Sequence, residues 1–365
     1  MNVRDARPDE LDDWDARTVE APAGHVYQSR PWAEHRRRSG WTPRFLVTED
    51  DGRVLALTRP WPMIGGGSAY LPRGPVPAGS TETAAIAARQ IAITVALANE
   101  GIDVIAADPE VPATDGAFRA QIVAEGFRPI EEIQPSRHRV SLPLDPSADE
   151  AAVFEGIAKS TRQRIRGADR DGITVARHDT RTGSGGAGEG FSEPAEPASA
   201  ALDRFYDLLL ETGERRRFSF GPRASFVGWW RAAFDAGHLV YLEARAAEPI
   251  AGLILYRHGG RLSTVHSGDH AATRAEHPGA LHLLRWRAIQ LAIREGCAEM
   301  DLGGVDIRGS REEPREGDPL FGLYQHKRSF GGQWFALIGA HERVEDPRGY
   351  ALGRLTDRVG RLMRR

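Results

Sequence analysis

The chain of 365 residues is predicted to fold as two α/β domains. Its length gives a prior of about two domains, each large enough to bury its own core. Hydrophobic residues at 41% and charged residues at 27% are the balance of a globular protein. Two stretches then repeat one order of elements: strands joined by turns, a long helical pattern ending in Glu-Gly, and a short apolar strand.

In the first stretch, FLVTEDDGRVLALTRP reads as strand, turn and strand, with Asp-Asp-Gly as the turn. A helical pattern follows from about residue 81 to 100, then Gly101 and the apolar strand IDVIAADP. In the second, LVYLEARAAEPIAGLILYR and RLSTVHS read as three strands. The helical LHLLRWRAIQLAIREG and the short strand CAEMDLGG come after them. Gly101 and Gly296 are the expected helix stops, because glycine closes a helix in a left-handed conformation at little cost. The shared order suggests a duplication.

The boundary is expected near Ser141–Pro146, where SLPLDPSADE ends a strand and caps a helix with Asp149 or Ser147. Domain one is then 1–143, and domain two begins at 144. This leaves no room for a third domain, DNA-binding or otherwise. Residues 182–199, TGSGGAGEGFSEPAEPAS, read as a flexible loop inside the second domain. Gly183, Gly185 and Gly188 have dinucleotide-fingerprint spacing there, but Pro and Glu follow instead of an apolar helix, so the match is accidental. The final segment, YALGRLTDRVGRLMRR, reads as a basic amphipathic helix whose stripe is Leu352, Leu355, Val359 and Leu362. Docking of that stripe onto the protein is the favoured expectation, and an anionic membrane surface is the alternative.

Several function classes are excluded. A net charge of −3 gives no general attraction to polyanions, so a phosphate-rich ligand has to be held by local clusters. The single cysteine, Cys297, rules out an internal disulfide framework and Cys-rich metal sites, and its apolar flanks make it a buried filler. The acidic N-terminus lacks an apolar h-region, and the run AAIAARQIAITVALA is too short to span a bilayer. A soluble cytoplasmic protein is therefore expected. There is no Gly-x-Ser-x-Gly, no His-Glu-x-x-His and no P-loop. The acetyl-CoA pyrophosphate pattern fails at its last position twice, at Asp169 after Arg164 and at Gln333 after Arg328. Neither a metal nor a cofactor is expected.

Three cationic clusters are the candidates for phosphate contact. Arg162, Arg166 and Arg170 stand four apart on one helical face, with Lys159 and Arg164 nearby and no acid between Lys159 and Ala168. The opposite stripe is Phe154, Ile157, Ala158, Thr161, Ile165 and Ala168. RNA and a diphosphate are equally good partners for that row, and a solvated face is the bland alternative. His35–Arg38 and Arg215–Arg217 with Arg223 are the other two clusters. The arginine fork suits bidentate phosphate contact. Lys327 lies among Tyr324, His326 and Phe330, one turn before Gly331. It can hold a developing oxyanion, although a snorkelling surface lysine is the commoner outcome of such spacing.

The segments HVYQSRPWAEHRRRSGW, YLPRGPV, IQP at Ile133–Pro135 and KSTRQRIRGADRDGITV, together with ETGERRRF, MDLGGVD and HKRSFGG, resemble the landmarks of one family in order and spacing. That family is the Fem aminoacyltransferases, which build peptidoglycan interpeptide bridges, and the resemblance runs from about Val26 to Gly339. It implies two GNAT-like domains with mixed central sheets flanked by helices, the second ending at 340 and residues 341–365 returning to the first. It implies transfer of an amino acid from aminoacyl-tRNA to the stem-peptide amine of lipid II or its nucleotide-linked precursor, with no covalent enzyme intermediate. By motif, Arg36 and Arg215 are similar to contacts to the precursor's diphosphate, Asp108 and Tyr70 to residues of the acceptor cleft, and Lys327 to the lysine at the transfer site. His326 stands where many relatives have Phe, and His266 near a position usually Tyr. No segment has the length of the helical arm some relatives carry, so the armless type is expected. A GNAT-like transferase using acyl-CoA is the alternative. A non-catalytic RNA-binding protein is disfavoured by the acidity and by the lack of an aromatic-studded strand.

Overall fold

The structure, a computed structural model, describes every residue except 78–81, 135–137, 146, 148, 182–189, 217–219, 306–311 and 363–365, with backbone only at 216 and 359–362. The chain divides into two compact units, Met1–His138 with Phe335–Arg365, and Arg139–Ile307 with Arg311–Trp334.

The first unit contains strands β1 (Val3–Asp5), β2 (Thr42–Thr48), β3 (Arg53–Pro60), β4 (Gly67–Leu71), β5 (Val104–Ala107) and β6 (Arg128–Pro129), with helices α1 (Pro8–Asp12), α2 (Arg30–Arg38), α3 (Thr83–Asn99) and α4 (Gly116–Ala124). The second contains β7 (Arg139–Pro143), β8 (Thr174–His178), β9 (Leu239–Arg245), β10 (Pro249–His258), β11 (Arg261–Asp269), β12 (Glu299–Asp301) and β13 (Gln333–Phe335). Its helices are α5 (Glu150–Gly156), α6 (Lys159–Arg170), α7 (Ala198–Arg216), α8 (Arg223–Asp235), α9 (Ala271–Arg274), α10 (Ala280–Arg294) and α11 (Phe321–Arg328). Strand β14 (His341–Val344) and helix α12 (Pro347–Leu362) belong to the first unit.

The strand orders are β1-β2-β3-β4-β5-β14-β6 and β8-β9-β10-β11-β12-β7-β13. In each sheet the first four strands are antiparallel, the fourth and fifth are parallel, and the sixth is again antiparallel to the fifth. Through the sixth strand the two sheets are the same in order and direction, as the repeated element order suggests. The sixth strand of each enters from the other part of the chain: β14 lies in the segment expected to return to the first domain, whereas β7, expected in the first domain, lies in the second. β7 follows β6 in the chain but pairs in the second sheet, and β14 follows β13 but pairs in the first. The division therefore falls at residue 138/139 rather than after 143. Hydrophobic pattern shows that residues 139–143 form a strand, but not which sheet receives its hydrogen bonds.

Local chemistry accounts for the elements. Gly101 (φ +88) and Gly296 (φ +67) stop α3 and α10 in the left-handed region. Asp149 caps α5, its Oδ1 accepting from Ala152 N at 2.6 Å. Helix α3 buries Ile86, Ile93 and Leu97, and also Arg89 and Gln90. Arg89 is paired with Asp50 at 2.8 Å, and Gln90 lies 2.7 Å from His341 Nε2, which makes their burial tolerable.

Three expectations need correction. The stripe from Phe154 to Ala168 is not one helix: Ile157 and Ala158 are extended, and Ala158 N donates to Ser329 O at 2.8 Å between α5 and α6. The loop expected over 182–199 is ordered at its described end. Phe191 is buried in the second core, Ser192 N donates to Val175 O at 2.8 Å, and Ala198 opens α7. The glycines of the fingerprint-like spacing lie outside the described residues. Helix α12 packs by its small face, with Gly353 against the Trp61 ring and Gly349 against Asp103, while Leu352 and Leu355 are 49% and 58% exposed. Among the described residues, no helix is long and apolar enough to cross a membrane.

Candidate active site

In the second unit, β11 and β12 pair in parallel only from Arg261↔Glu299 to Ser263↔Asp301. Beyond that point β11 runs on to Asp269, and its pairing with β10 slips by one residue at Val265. A bulge of this kind turns a strand and re-aims its side chains. Lys327, on α11, reaches this opening. Its Nζ donates to the Gly304 carbonyl at 2.8 Å, and the residue is only 5% exposed. Gly303 (φ +85) is required there, because a Cβ would lie 2.8 Å from Thr264 O and 3.0 Å from Lys327 Nζ. Lys327 is therefore no snorkelling surface lysine. A buried ammonium held against backbone at a strand opening can meet an oxyanion that forms there. Cys297 is buried, and burial together with Glu295 pushes its thiol up to about 11, so it supplies no thiolate at neutral pH.

Around this opening lies a cluster rich in histidine. Arg285 of α10 donates through Nε to His326 Nε2 at 3.0 Å, and its Nη2 is 3.5 Å from Ser267 Oγ. The His282 and His326 rings are 4.7 Å apart. Burial first, and then neighbouring cations, push His326 down to about 2 and His282 to about 4. His266 packs among Phe220, Phe226 and Trp230, where desolvation lowers it to about 4. All three rings are neutral at physiological pH.

The first unit holds a cleft of about 310 Å³, lined among others by Trp32, Arg36, Trp41, Trp61, Tyr70, Gln134 and Tyr350. Ser29 caps α2 through Trp32 N at 3.1 Å, which fixes the start of the helix carrying Trp32 and Arg36. The Arg36 guanidinium lies 5.5 Å from the Trp32 ring centre and 5.6 Å from that of Trp41. It meets no carboxylate among the described residues, its Nε has no hydrogen-bond partner, and burial lowers its pKa. Arg37 and Arg38 of the same cluster are exposed and share Glu34. Tyr70 donates to Asp108 at 2.9 Å and accepts from Gln134 Nε2 at 3.0 Å. Asp108, 1% exposed, also accepts from Arg73 N at 2.7 Å and faces Arg73 Nη1 at 3.7 Å. Burial nevertheless raises its carboxyl to about 6.

The remaining candidates differ in how free they are. Arg215 is already held by Asp269 at 2.7 Å and by Glu211 at 3.7 Å. Arg223 is paired with Asp207, and Arg217 lies outside the described residues. On α6, Arg162 binds Glu155 at 2.7 Å and Arg166 approaches the same acid at 3.9 Å. Lys159, Arg164 and Arg170 are exposed with no acidic partner among the described residues. The two near-matches to the pyrophosphate pattern lie within α6 and after α11, so neither presents the N–H groups of a helix N-terminus. Among the described residues, no group of three His, Cys, Asp or Glu side chains converges as a metal site.

Sequence reasoning missed Arg285, Arg73, Trp61 and Tyr350 as site residues. Arg285 left a signal, because it occupies a core position of an otherwise apolar helical stretch with Leu281, Ala288 and Ala292. Trp61 and Tyr350 left none, since their proximity joins segments nearly three hundred residues apart in the chain.

Two mixed sheets of one topology, each with a parallel pair at its centre and helices on its faces, define a tandem GNAT-fold protein. Residues 159–328 match the family model described as Acetyltransferase (GNAT) domain. No curated protein matches the chain in sequence. Among solved structures, FemX is similar with a TM-score of 0.76 at 17% identity, covering 96% of this chain and 99% of its own. A conserved protein of unknown function from Bacteroides thetaiotaomicron has a TM-score of 0.54 at 11% identity over 94% and 98% of the two chains. L-PGS from Bacillus licheniformis has 0.51 at 11% over 97% and 98%. At these identities the likeness is one of fold.

Proposed function

We propose that the protein is an aminoacyltransferase of the Fem kind, moving an amino acid from aminoacyl-tRNA to the stem-peptide amine of lipid II or its nucleotide-linked precursor. The observation that carries this reading is the buried Lys327 ammonium at the opening of β11 and β12. Attack of the amine on the ester carbonyl forms the C–N bond and places negative charge on the carbonyl oxygen, which Lys327 stabilises. Collapse breaks the ester C–O bond, and the ribose oxygen leaves with the proton lost by the amine. The ester is already activated, so no protein nucleophile is required.

In this reading Arg36 binds the acceptor's diphosphate, with Arg215 as a second contact, and Tyr70 and Asp108 shape the cleft. Lys159, Arg162, Arg166 and Arg170 meet phosphates of the RNA. The longest described helix, α7, has 19 residues and packs into the core, which supports the armless type. The leucines and arginines of α12 support peripheral contact with the cytoplasmic membrane face. The decisive assay incubates the protein with charged tRNA and lipid II, or the nucleotide-linked precursor, with and without RNase, and weighs the product. A mass increment of one amino acid that disappears with RNase is expected.

The family-model match over residues 159–328 favours a second reading, an N-acyltransferase using acyl-CoA. Product that survives RNase and requires acyl-CoA selects it.

A further inference from the structure

Six arginines are buried among the described residues, and five of them face an acid. Arg53 faces Asp13, Arg73 Asp108, Arg89 Asp50, Arg257 both Asp179 and Glu295, and Arg261 lies in the field of Asp301. Arg285 is the exception. It is 3% exposed, no carboxylate among the described residues contacts it, and its Nη1 has no hydrogen-bond partner. Its polar neighbours are a neutral imidazole, His326, and the Ser267 hydroxyl at the limit of hydrogen-bond distance. Leaving a charge buried and uncompensated costs several kcal/mol.

We propose that Arg285 is an oxyanion-binding site of the second unit, taking a phosphate or carboxylate group at its unpartnered Nη1, with Nη2 beside it. The pair offers two donors in the fork geometry that such groups accept bidentately. Ser267 and His282 are half-buried nearby, so further polar groups are at hand. The location suits a substrate group. Ser267 lies on the stretch of β11 beyond its pairing with β12, and His326, which accepts from Arg285, precedes Lys327 in the chain. The anion site itself does not depend on the proposed function; naming its source does. If the donor is aminoacyl-tRNA, the oxyanion is either a phosphodiester of its 3′ end or the side-chain carboxylate of an acidic transferred residue.

The test compares the full-length wild type with Arg285→Met, which keeps the stem and removes the charge. In chloride buffer the variant should melt at or above the wild type, because an uncompensated charge has gone. Inorganic phosphate at constant ionic strength should raise the wild-type melting temperature by more than it raises that of the variant. Three stable 3′-amide analogues then identify the source: alanyl-adenosine without phosphate, alanyl-cytidylyl-adenosine with one phosphodiester, and aspartyl-adenosine with a carboxylate. Affinity should fall about tenfold or more in the variant for the analogue carrying the recognised oxyanion, and stay unchanged for alanyl-adenosine. Equal phosphate shifts in the two proteins, or a variant melting well below wild type in chloride, overturn the site. Arg285→Lys, which keeps the charge, should show a reduced phosphate shift because the fork is lost. A phosphate effect that depends on Arg285, with no binding of any analogue, keeps the site and counts against the aminoacyl-RNA reading.

Discussion

In the first unit the Asp108 carboxyl is enclosed with Tyr70 and the Arg73 guanidinium, so a buried acid and a buried base sit together. In the second unit Arg285 is enclosed with two neutral imidazoles and no acid among the described residues. The sheets are the same in order and direction, so the difference belongs to the side chains each unit places around its central parallel pair. A unit that balances its charge internally is preorganised as it stands. A unit that keeps an excess cation is complete only with an anion. The carried-over arginines divide within the same comparison: Arg36 rests between tryptophan rings with its charge unspent, while Arg215 is tied to Asp269 and Glu211.

The largest effect that sharpens this contrast is expected at Lys327. Lys327→Met retains most of the packing and deletes the charge proposed to meet the oxyanion. kcat should fall about 10²–10³-fold, roughly 3–4 kcal/mol, with little change in KM, because the interaction forms in the transition state. Steady-state kinetics beside thermal melts decide it. A folded variant with wild-type kcat removes Lys327 from the chemistry.

Next comes the pH dependence of the first unit. Asp108 in the folded protein titrates near 6, above its ordinary value of 3.8, because burial outweighs Arg73. A carboxyl raised on folding stabilises the protein below its unfolded pKa, and that contribution is lost as pH rises through the folded value. Relative to wild type, Asp108→Asn should therefore gain stability between about pH 4 and pH 7, by up to roughly 3 kcal/mol. Denaturant melts at several pH values test this, and a pH-independent difference would mean that Arg73 neutralises Asp108 fully.

The two carried-over arginines should separate more modestly. Arg36→Lys keeps the charge and loses the fork, so the acceptor KM should rise about tenfold with kcat nearly unchanged. Arg215→Lys should raise it less, since Asp269 already engages that guanidinium. Equal rises would break the distinction drawn between them. The smallest effect is expected from the glycine-rich segment. Replacing residues 183–190 by a short Gly/Ser linker should cost under ~1 kcal/mol, because loop-closure entropy varies slowly with length. Phe191 must be kept, as it is part of the core. A cooperative loss of folding on that replacement would falsify the expectation.

The sequence by itself determined the elements and their repetition. Apolar alternation marked β2, β3 and β9 to β11, and Gly101 and Gly296 marked the ends of α3 and α10, because periodicity and left-handed stops are local properties of the chain. Resemblance to one family's motifs singled out Lys327 and Arg36, whose roles the kinetics above test. Tertiary structure alone decided that β7 pairs in the second sheet, that Lys327 is buried, and that α12 packs by glycines and leaves Leu352 and Leu355 in solvent. It also decided which arginines have their charge balanced. Pairing partners, burial and counter-charges depend on residues far apart in the chain, and spacing along a sequence does not carry distances across space.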